Sequence, residues 1–280
     1  MAGNASRRVF GALMTGATYG AAALAILPLA AILGMLLVKG ASSLNWDFFV
    51  KSAVPLGESG GGFANAIVGT LIIVGLACAI GVPVGIGAGI YLAEFGSRRF
   101  GWLVRFVADT LNGIPSIVIG IFAWTWVVRP VHHFSALAGS IGLACIMAPI
   151  VARTTEEMVR LVPNSLREAA LALGYPRWRT SLTVVVRTAM AGIVTGCMVA
   201  VARVAGETAP LIFTALGNQF FSTRVTEPMA ALPLQVYIYA TGPYEEWHRQ
   251  AWAGALVLIL LVLILGTIAR VAARSKTARA

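Results

Sequence analysis

Six apolar segments separated by shorter polar stretches dominate the residue pattern of this chain. Each contains about 18 residues or more, the length of an α-helix that crosses a hydrocarbon core of about 30 Å. The pattern therefore predicts an all-α integral membrane protein with six transmembrane helices. The segments lie at roughly residues 14–38, 64–93, 103–128, 136–153, 187–217 and 251–273.

Proline residues interrupt several of these segments. Proline lacks a backbone N–H and favours a bend, which a membrane helix tolerates where protein or water satisfies the freed carbonyl. We therefore expect bends within or beside the spans, at Pro28, Pro83, Pro115, Pro149 and Pro210.

The composition agrees with a membrane location. Hydrophobic residues make up 58% of the 280 residues and charged residues 11%, whereas a soluble domain usually carries about 25% charged residues. The net charge of +10 lies mainly in the short segments between the spans. Basic residues commonly set membrane orientation there, so nucleic acid is not expected as a partner.

The Lys and Arg residues predict which side of the membrane each segment faces, because cytoplasmic loops carry an excess of them. Fifteen of them lie in one set of alternate segments, namely 1–13, 94–102 with Arg105, 153–187 and the tail after residue 269. Five lie in the other set, namely 39–63, 129–135 and 218–250. Both termini are therefore predicted to be cytoplasmic.

Two of the predicted outward loops, 39–63 and 218–250, are rich in aromatic residues, proline and glycine. Aromatic side chains prefer the headgroup boundary, so much of each loop is expected to lie on membrane lipid. A docking rim for an external partner would have the same composition. Both interpretations stay open at the level of sequence.

The segment 153–187 is too long and too patterned for a simple connector. It predicts a short helix over 165–173, with Asn164 or Ser165 as its N-cap and Gly174 as its stop before a proline. An amphipathic helix that projects from a membrane protein suits a groove on a partner, or else lies on the membrane surface. The residues on its proposed contact face are Leu166, Ala169, Ala170 and Leu173.

Two opposite charges stand inside the fifth apolar segment. Arg203 and Glu207 are four residues apart, which would place them on one helix face. Arg203 follows Arg187 by sixteen residues, about 24 Å along a helix, which puts it in the outer half of the membrane. An arginine there costs roughly 2.5–3.5 kcal/mol, so stability alone does not explain it.

A substrate pathway explains the pair better, because arginine presents a planar fork of donors that matches an oxyanion. Thr208 would add a hydroxyl, and Pro210 would break the helix and free backbone groups for a cavity. The alternative is a packed interhelical ion pair with no transport role. Asp109, inside the third span, is expected either to pair with Arg203 or to cap the break before Pro115.

The chain carries no G-x-x-x-x-G-K-[ST] sequence and no catalytic motif, so it is predicted not to be an enzyme. If ATP is used, another subunit hydrolyses it. The three cysteines match no metal-site spacing, and His132 and His133 lie beside no carboxylate or cysteine. Neither a metal nor a bound cofactor is therefore expected.

Glu168-Ala169-Ala170, three residues and then Gly174 resemble the EAA-x3-G motif of the permease subunits of bacterial ATP-binding-cassette importers. In that family this helix couples the permease to the ATPase. The match departs from the family at Val186-Arg187, where Leu-Pro is usual, so the family pattern does not mark the start of the next span here. Four further segments resemble the A-type permease of the phosphate-specific importer: IYLAEFG, DTLNGIPSIVIG, REAALALGYPRW and ARVAGETAPLIFTALGNQF.

The resemblance covers roughly residues 63–275 and implies half of a pathway for inorganic phosphate in the bacterial cytoplasmic membrane. It implies four further subunits: a second similar permease, two ATPases on the cytoplasmic side and an external phosphate-binding protein. Arg203 and Glu207 match charged positions in the family's pathway. Residues 1–62 would form a first span with an outward loop, and 276–280 a cytoplasmic tail.

Other functions remain open on sequence alone. A proton-coupled secondary transporter would use Glu207 or Asp109 as its relay. A permease for another oxyanion, such as sulfate or molybdate, would need the same arginine. A membrane-embedded assembly factor would have no pathway at all.

Overall fold

A computed structural model describes residues 2–54 and 60–277, and these residues fold almost entirely into helices. Residues 55–59 of the predicted loop 39–63, and the last three residues of the predicted tail 276–280, lie outside the described residues. The helices are α1 (Ala2–Ser43), α2 (Trp46–Val50), α3 (Ala64–Glu94), α4 (Arg98–Gly113), α5 (Ser116–Val131), α6 (Ala136–Arg160), α7 (Asn164–Ala172), α8 (Arg177–Ala205), α9 (Ala209–Thr214), α10 (Leu232–Thr241) and α11 (Glu245–Thr277).

Five helices of the described chain are long and apolar enough to cross a membrane: α1, α3, α6, α8 and α11. The predicted third span, 103–128, is wrong as a single helix. It consists of α4 and α5, which are bent by 105° at a short break. Ile114 in this break is extended, because the residue before a proline is pushed out of the helical region. Pro115 therefore bends the chain as predicted, and six spans result if the pair counts as one.

One other prediction needs correction. The fifth predicted span, 187–217, is displaced, since α8 begins at Arg177 and ends at Ala205. Both α5 and α8 contain a π-helical turn, at Trp124–Val128 and Ser181–Val185. Pro28, Pro83 and Pro149 lie inside helices that continue past them.

The close contact of α3 with α6 forms the centre of the bundle. Gly81, Gly85 and Gly89 recur every four residues on one face of α3, so they meet α6 on a single stripe. A methyl group added at Gly85 would lie 2.6 Å from the Val151 Cβ and 2.8 Å from the Ala148 carbonyl oxygen. The absence of a side chain thus lets the two backbones approach, as small residues commonly do between membrane helices.

Long-range hydrogen bonds mark one end of the bundle, and the helix α7 marks the other. At one end, the Asn65 side chain donates to the Asn218 carbonyl at 2.8 Å, and the Leu232 N–H donates to the Thr70 hydroxyl at 2.7 Å. The first turn of α3 therefore lies beside the segments that follow α9. The other end carries α7, and the two are called the α7 end and the opposite end below.

Helix α1 contacts the rest of the chain mainly near its C-terminus, where it packs on α11. Leu36 is buried, and Gly40 approaches the Trp252 carbonyl so closely that a methyl group there would lie 2.9 Å from it. The Lys39 ammonium lies 5.2 Å from the centre of the Trp252 ring. The described side chains of α1 that precede Leu36 are exposed, so this chain leaves most of the helix uncovered.

Replacement of Gly85 by alanine should weaken the α3–α6 contact. The added methyl group overlaps Val151 and a backbone oxygen, and overpacking of this kind costs about 1–3 kcal/mol. The matched control is Gly87→Ala, two residues away on the same helix, where a methyl group meets no atom within 4 Å. The unfolding temperature in detergent should fall for Gly85→Ala and not for Gly87→Ala. Equal effects of both variants would contradict this account.

Candidate functional site

A break in the backbone follows α8. The helix ends at Ala205, where the Gly206 N–H donates to the Arg203 carbonyl at 3.2 Å and the Glu207 N–H donates to the Val204 carbonyl at 3.1 Å. Helix α9 then starts at Ala209 with Pro210 in its first turn. Because proline cannot continue a helix from the preceding turn, the break predicted from this residue is confirmed.

Arg203 lies in the last turn of α8 and is exposed, whereas its neighbours Val204 and Ala205 are buried on the other side. Its predicted pairing with Glu207 is wrong. The helix ends before Glu207, so the four-residue spacing no longer places the two side chains on one face. Within the described part of the chain, no ion pair or side-chain hydrogen bond holds the side chains of Arg203, Glu207 or Thr208.

The exposed face of α8 continues from Arg203 back toward the α7 end. Its members are small or carry a hydroxyl, apart from one valine, and they recur at helical spacing: Thr188, Ala191, Thr195, Val199 and Ala202. The threonine hydroxyls donate to backbone carbonyls one turn earlier at 2.8 Å. A face of this kind, left uncovered by the rest of the chain, offers little apolar surface to lipid.

Asp109 does not pair with Arg203, and no capping bond from it to the break before Pro115 is present among the described residues. Its carboxylate lies 2.9 Å from the Nε of Arg153. Arg153 stands about two turns before the end of α6, close to the α7 end. Arg203 is about 22 residues beyond Ser181 at that end, ~33 Å along α8, so the two expected partners lie at different levels of the bundle.

A buried carboxylate lies next to this pair and was missed at the level of sequence. Glu156 is 1% exposed and accepts hydrogen bonds from Arg105 Nε at 2.6 Å and Arg153 Nη1 at 2.7 Å, and it forms an ion pair with Arg160 Nη2 at 2.7 Å. Arg105 also donates to the Leu92 carbonyl at 2.9 Å. The cluster ties α3, α4 and α6 together, as a buried carboxylate requires partners. Its local signal was the i,i+3 and i,i+4 spacing of arginines around Glu156.

The short helix predicted over 165–173 is confirmed as α7, shifted by one residue. The predicted cap is wrong, because Pro163 occupies the N-cap and makes no side-chain capping bond. Gly174 ends the helix as expected, with a φ of +85°. Its N–H donates to the Leu171 carbonyl at 2.9 Å, and the next N–H donates to the Ala170 carbonyl at 3.2 Å. This left-handed conformation suits glycine.

The proposed contact face of α7 is largely uncovered. Of its members, only Ala170 is buried in this chain, whereas Leu166 is 40% exposed and Leu173 is 79% exposed. Glu168 and Ala169 are exposed as well. Apolar residues that the chain leaves in solvent at helical spacing are typical of a surface that contacts another protein.

At the opposite end, the segment between α9 and α10 covers the start of α6. The Ala136 N–H donates to the Glu227 carbonyl at 3.0 Å. The hydrogen bond from Arg224 lowers the pKa of Glu227, and a bond from the Ser222 hydroxyl acts in the same direction. The Glu227 carboxylate therefore stays ionised to a lower pH than usual. Its contribution to the stability of the folded chain is lost as the pH falls through this lowered pKa.

The fold has solved counterparts. The chain is similar to the MetNI methionine ABC transporter in an inward-facing conformation, with a TM-score of 0.54 and 18% identity over 78% of this chain and 94% of that one. It is also similar to a bacterial ABC transporter involved in the import of alginate, with a TM-score of 0.57 and 15% identity over 88% and 89% of the two chains. At this identity the likeness shows the fold alone.

Relatives found by sequence share a much higher identity with this chain than these structures do. The chain is 48% identical over 243 residues to the phosphate transport system permease protein PstA of Yersinia pestis, covering 86% of this chain and 82% of the relative. It is 45% identical over 265 residues to that of Haemophilus influenzae, covering 94% of both. Residues 85–277 match the model of the binding-protein-dependent transport system inner membrane component. The chain therefore belongs to that family, and within it to the phosphate transport system permease proteins.

Proposed function

We propose that this chain forms one half of the membrane pathway of an ATP-driven importer of inorganic phosphate. The observation that carries the proposal is the exposed, unpaired Arg203, at the end of a long apolar helix on a face that the chain does not cover. The relatives that are 45–48% identical are named as phosphate transport permeases. This likeness supports the assignment of phosphate as the substrate.

Arg203 is the residue that we assign to contact with the anion. A guanidinium without a partner costs several kcal/mol in hydrocarbon, so its face must meet water, another polypeptide or an anion in the assembled transporter. Its planar donors match two oxygens of a tetrahedral oxyanion.

Glu207 and Thr208 lie in the break beside Arg203 and would shape how the anion is held and released. The Thr208 hydroxyl can donate to a phosphate oxygen. The carboxylate of Glu207 would repel the anion and so favour its release when the pathway opens to the other side. Asp109, 56% exposed and paired with Arg153, would contribute a second polar position near the α7 end.

The uncovered surfaces support a proposal for the partners. A second, similar permease would cover the exposed face of α8 and complete the pathway. Two ATPase subunits would bind α7 from the cytoplasm, and an external phosphate-binding protein would dock at the opposite end. ATP would be hydrolysed in those subunits, since the relatives of this chain are permeases. Both termini would then be cytoplasmic, with lipid around the remaining surfaces.

Replacement of Arg203 by glutamine should abolish most phosphate uptake while the complex stays assembled. A charge-assisted hydrogen bond contributes about 1.5–3 kcal/mol, which corresponds to roughly a 10- to 100-fold loss of uptake. Radiolabelled phosphate uptake in cells measures transport, and a pull-down of the partner subunits measures whether the complex is assembled. Excess sulfate and molybdate in the same assay distinguish phosphate from other oxyanions.

The matched control is Arg8→Gln, which also removes an exposed arginine, but from the first turns of α1, away from α7, α8 and the opposite end. This control should transport at nearly the normal rate. Normal uptake by Arg203→Gln would leave the arginine as scaffolding and remove the main support for the pathway.

Replacement of Glu168 by glutamine, or of Gly174 by alanine, should detach the ATPase subunits. The first change removes an exposed charge from α7, and the second strains a backbone with a φ of +85° by roughly 1–2 kcal/mol. Glu157→Gln is the control for the first change, because Glu157 is exposed on the last turns of α6. A proton-coupled carrier would not bring down an ATPase at all, with or without these changes.

A further inference from the structure

Apolar packing alone does not fix the position of α7 against the bundle. The helix has nine residues, and only Ala170 among them is buried. Leu166 and Leu171 are each at least 40% exposed. A helix of this length is also too short to hold its place by its own backbone hydrogen bonds. Polar contacts must therefore determine how α7 sits on the spans.

These contacts come from Arg167, whose side chain is 19% exposed. Its Nη2 donates to the Glu94 carboxylate at 2.8 Å and to the Val159 carbonyl at 2.9 Å. Its Nε reaches the same carboxylate oxygen of Glu94 at 3.1 Å, and its Nη1 donates to the Val162 carbonyl. One planar guanidinium thus contacts the last residue of α3 and two carbonyls at the end of α6.

Glu94 extends this network to a fourth segment. Its second carboxylate oxygen accepts from the Ser181 hydroxyl at 3.0 Å, and Ser181 opens the π-helical turn near the start of α8. The Glu94 side chain is 11% exposed, so solvent and salt screen the pair less than a surface ion pair. A single ion pair therefore joins α7 to α3, α6 and α8 at the α7 end of the bundle.

Neighbouring residues of α7 face in different directions. Arg167 and Ala170 are turned to the spans, whereas Glu168 and Ala169 are exposed. The exposed residues are free to contact a partner, while Arg167 is largely covered by its own chain. The two roles of docking and transmission thus fall on different residues of the same helix.

We propose that Arg167, through Glu94, is the positioning residue that makes α3, α6 and α8 move together with α7 when the ATPase subunits close. This inference rests on the proposed function, because it assigns a role within that transport cycle. Helix α8 contacts this network in its first turns and carries Arg203 in its last turn, so a displacement of α7 reaches the anion-contacting residue through one helix. Loss of the network should leave ATP hydrolysis running without matching transport.

The test measures phosphate transported per ATP hydrolysed in the purified complex, reconstituted in vesicles with the binding protein. Arg167→Gln should reduce this ratio at least fivefold while the ATPase subunits still co-purify. Glu94→Gln should reduce it similarly, and the double variant should fall no further than the more severe single variant, as expected for residues that act as a pair. Arg179→Met is the matched control, because Arg179 stacks on Tyr175 and contacts no carboxylate among the described residues.

Arg167→Lys keeps the charge but loses the fork that reaches carboxylate and carbonyls together. It should assemble normally and give an intermediate ratio, which keeps the test decisive if Arg167→Gln folds poorly. An unchanged ratio in the lysine and glutamine variants would overturn the proposal. Loss of ATPase co-purification would also overturn it, since Arg167 would then belong to the docking surface.

A second measurement does not depend on transport. A nitroxide label at Ser165→Cys, with the three native cysteines replaced by alanine, reports the mobility of α7 in the permease complex. Arg167→Gln should increase that mobility, and Arg179→Met should not. If the unmodified complex transports no phosphate but the label responds, the proposed function fails while the positioning role stands. If the complex transports phosphate and the label does not respond, only the positioning role fails.

Discussion

Hydrocarbon offers no hydrogen bonds, so every charged side chain within a membrane protein must find its partners in protein, in water or in a ligand. Glu156 meets this requirement inside the chain, with three arginines around one carboxylate. Arg203 is exposed and has no ion pair among the residues that the structure describes. The contrast between a satisfied and an unsatisfied charge separates the structural groups from the residue that we assign to the substrate.

Close packing of the helices decides which of these charged side chains can reach a partner. The glycines of α3 bring its backbone against α6, and this contact holds the ends of both helices at fixed positions. Glu94 and Arg105 can then reach across to α7 and α6. The polar networks thus form because the apolar packing is close. They in turn hold α7 and the start of α8 in defined positions.

Helix α8 links the two regions on which transport is proposed to depend. Its first turns contact Glu94 through Ser181, and its last turn carries Arg203 beside a break in the backbone. A long helix transmits displacement along its axis better than a loop does, because its backbone hydrogen bonds are satisfied within the segment. The likeness to solved ABC transporters concerns the fold alone, and a fold does not determine which substrate is recognised.

The sequence by itself determined the membrane class, most of the spans, the short helix before Gly174 and the break at Pro210. These features arise from hydropathy, glycine and proline, which act within a few residues. It misjudged the partners of Asp109 and Glu207 and missed the Arg167–Glu94 pair, whose members are 73 positions apart. Only the tertiary structure decided these contacts, because a side chain's partner depends on which helices pack together and at what level, and no local pattern encodes that.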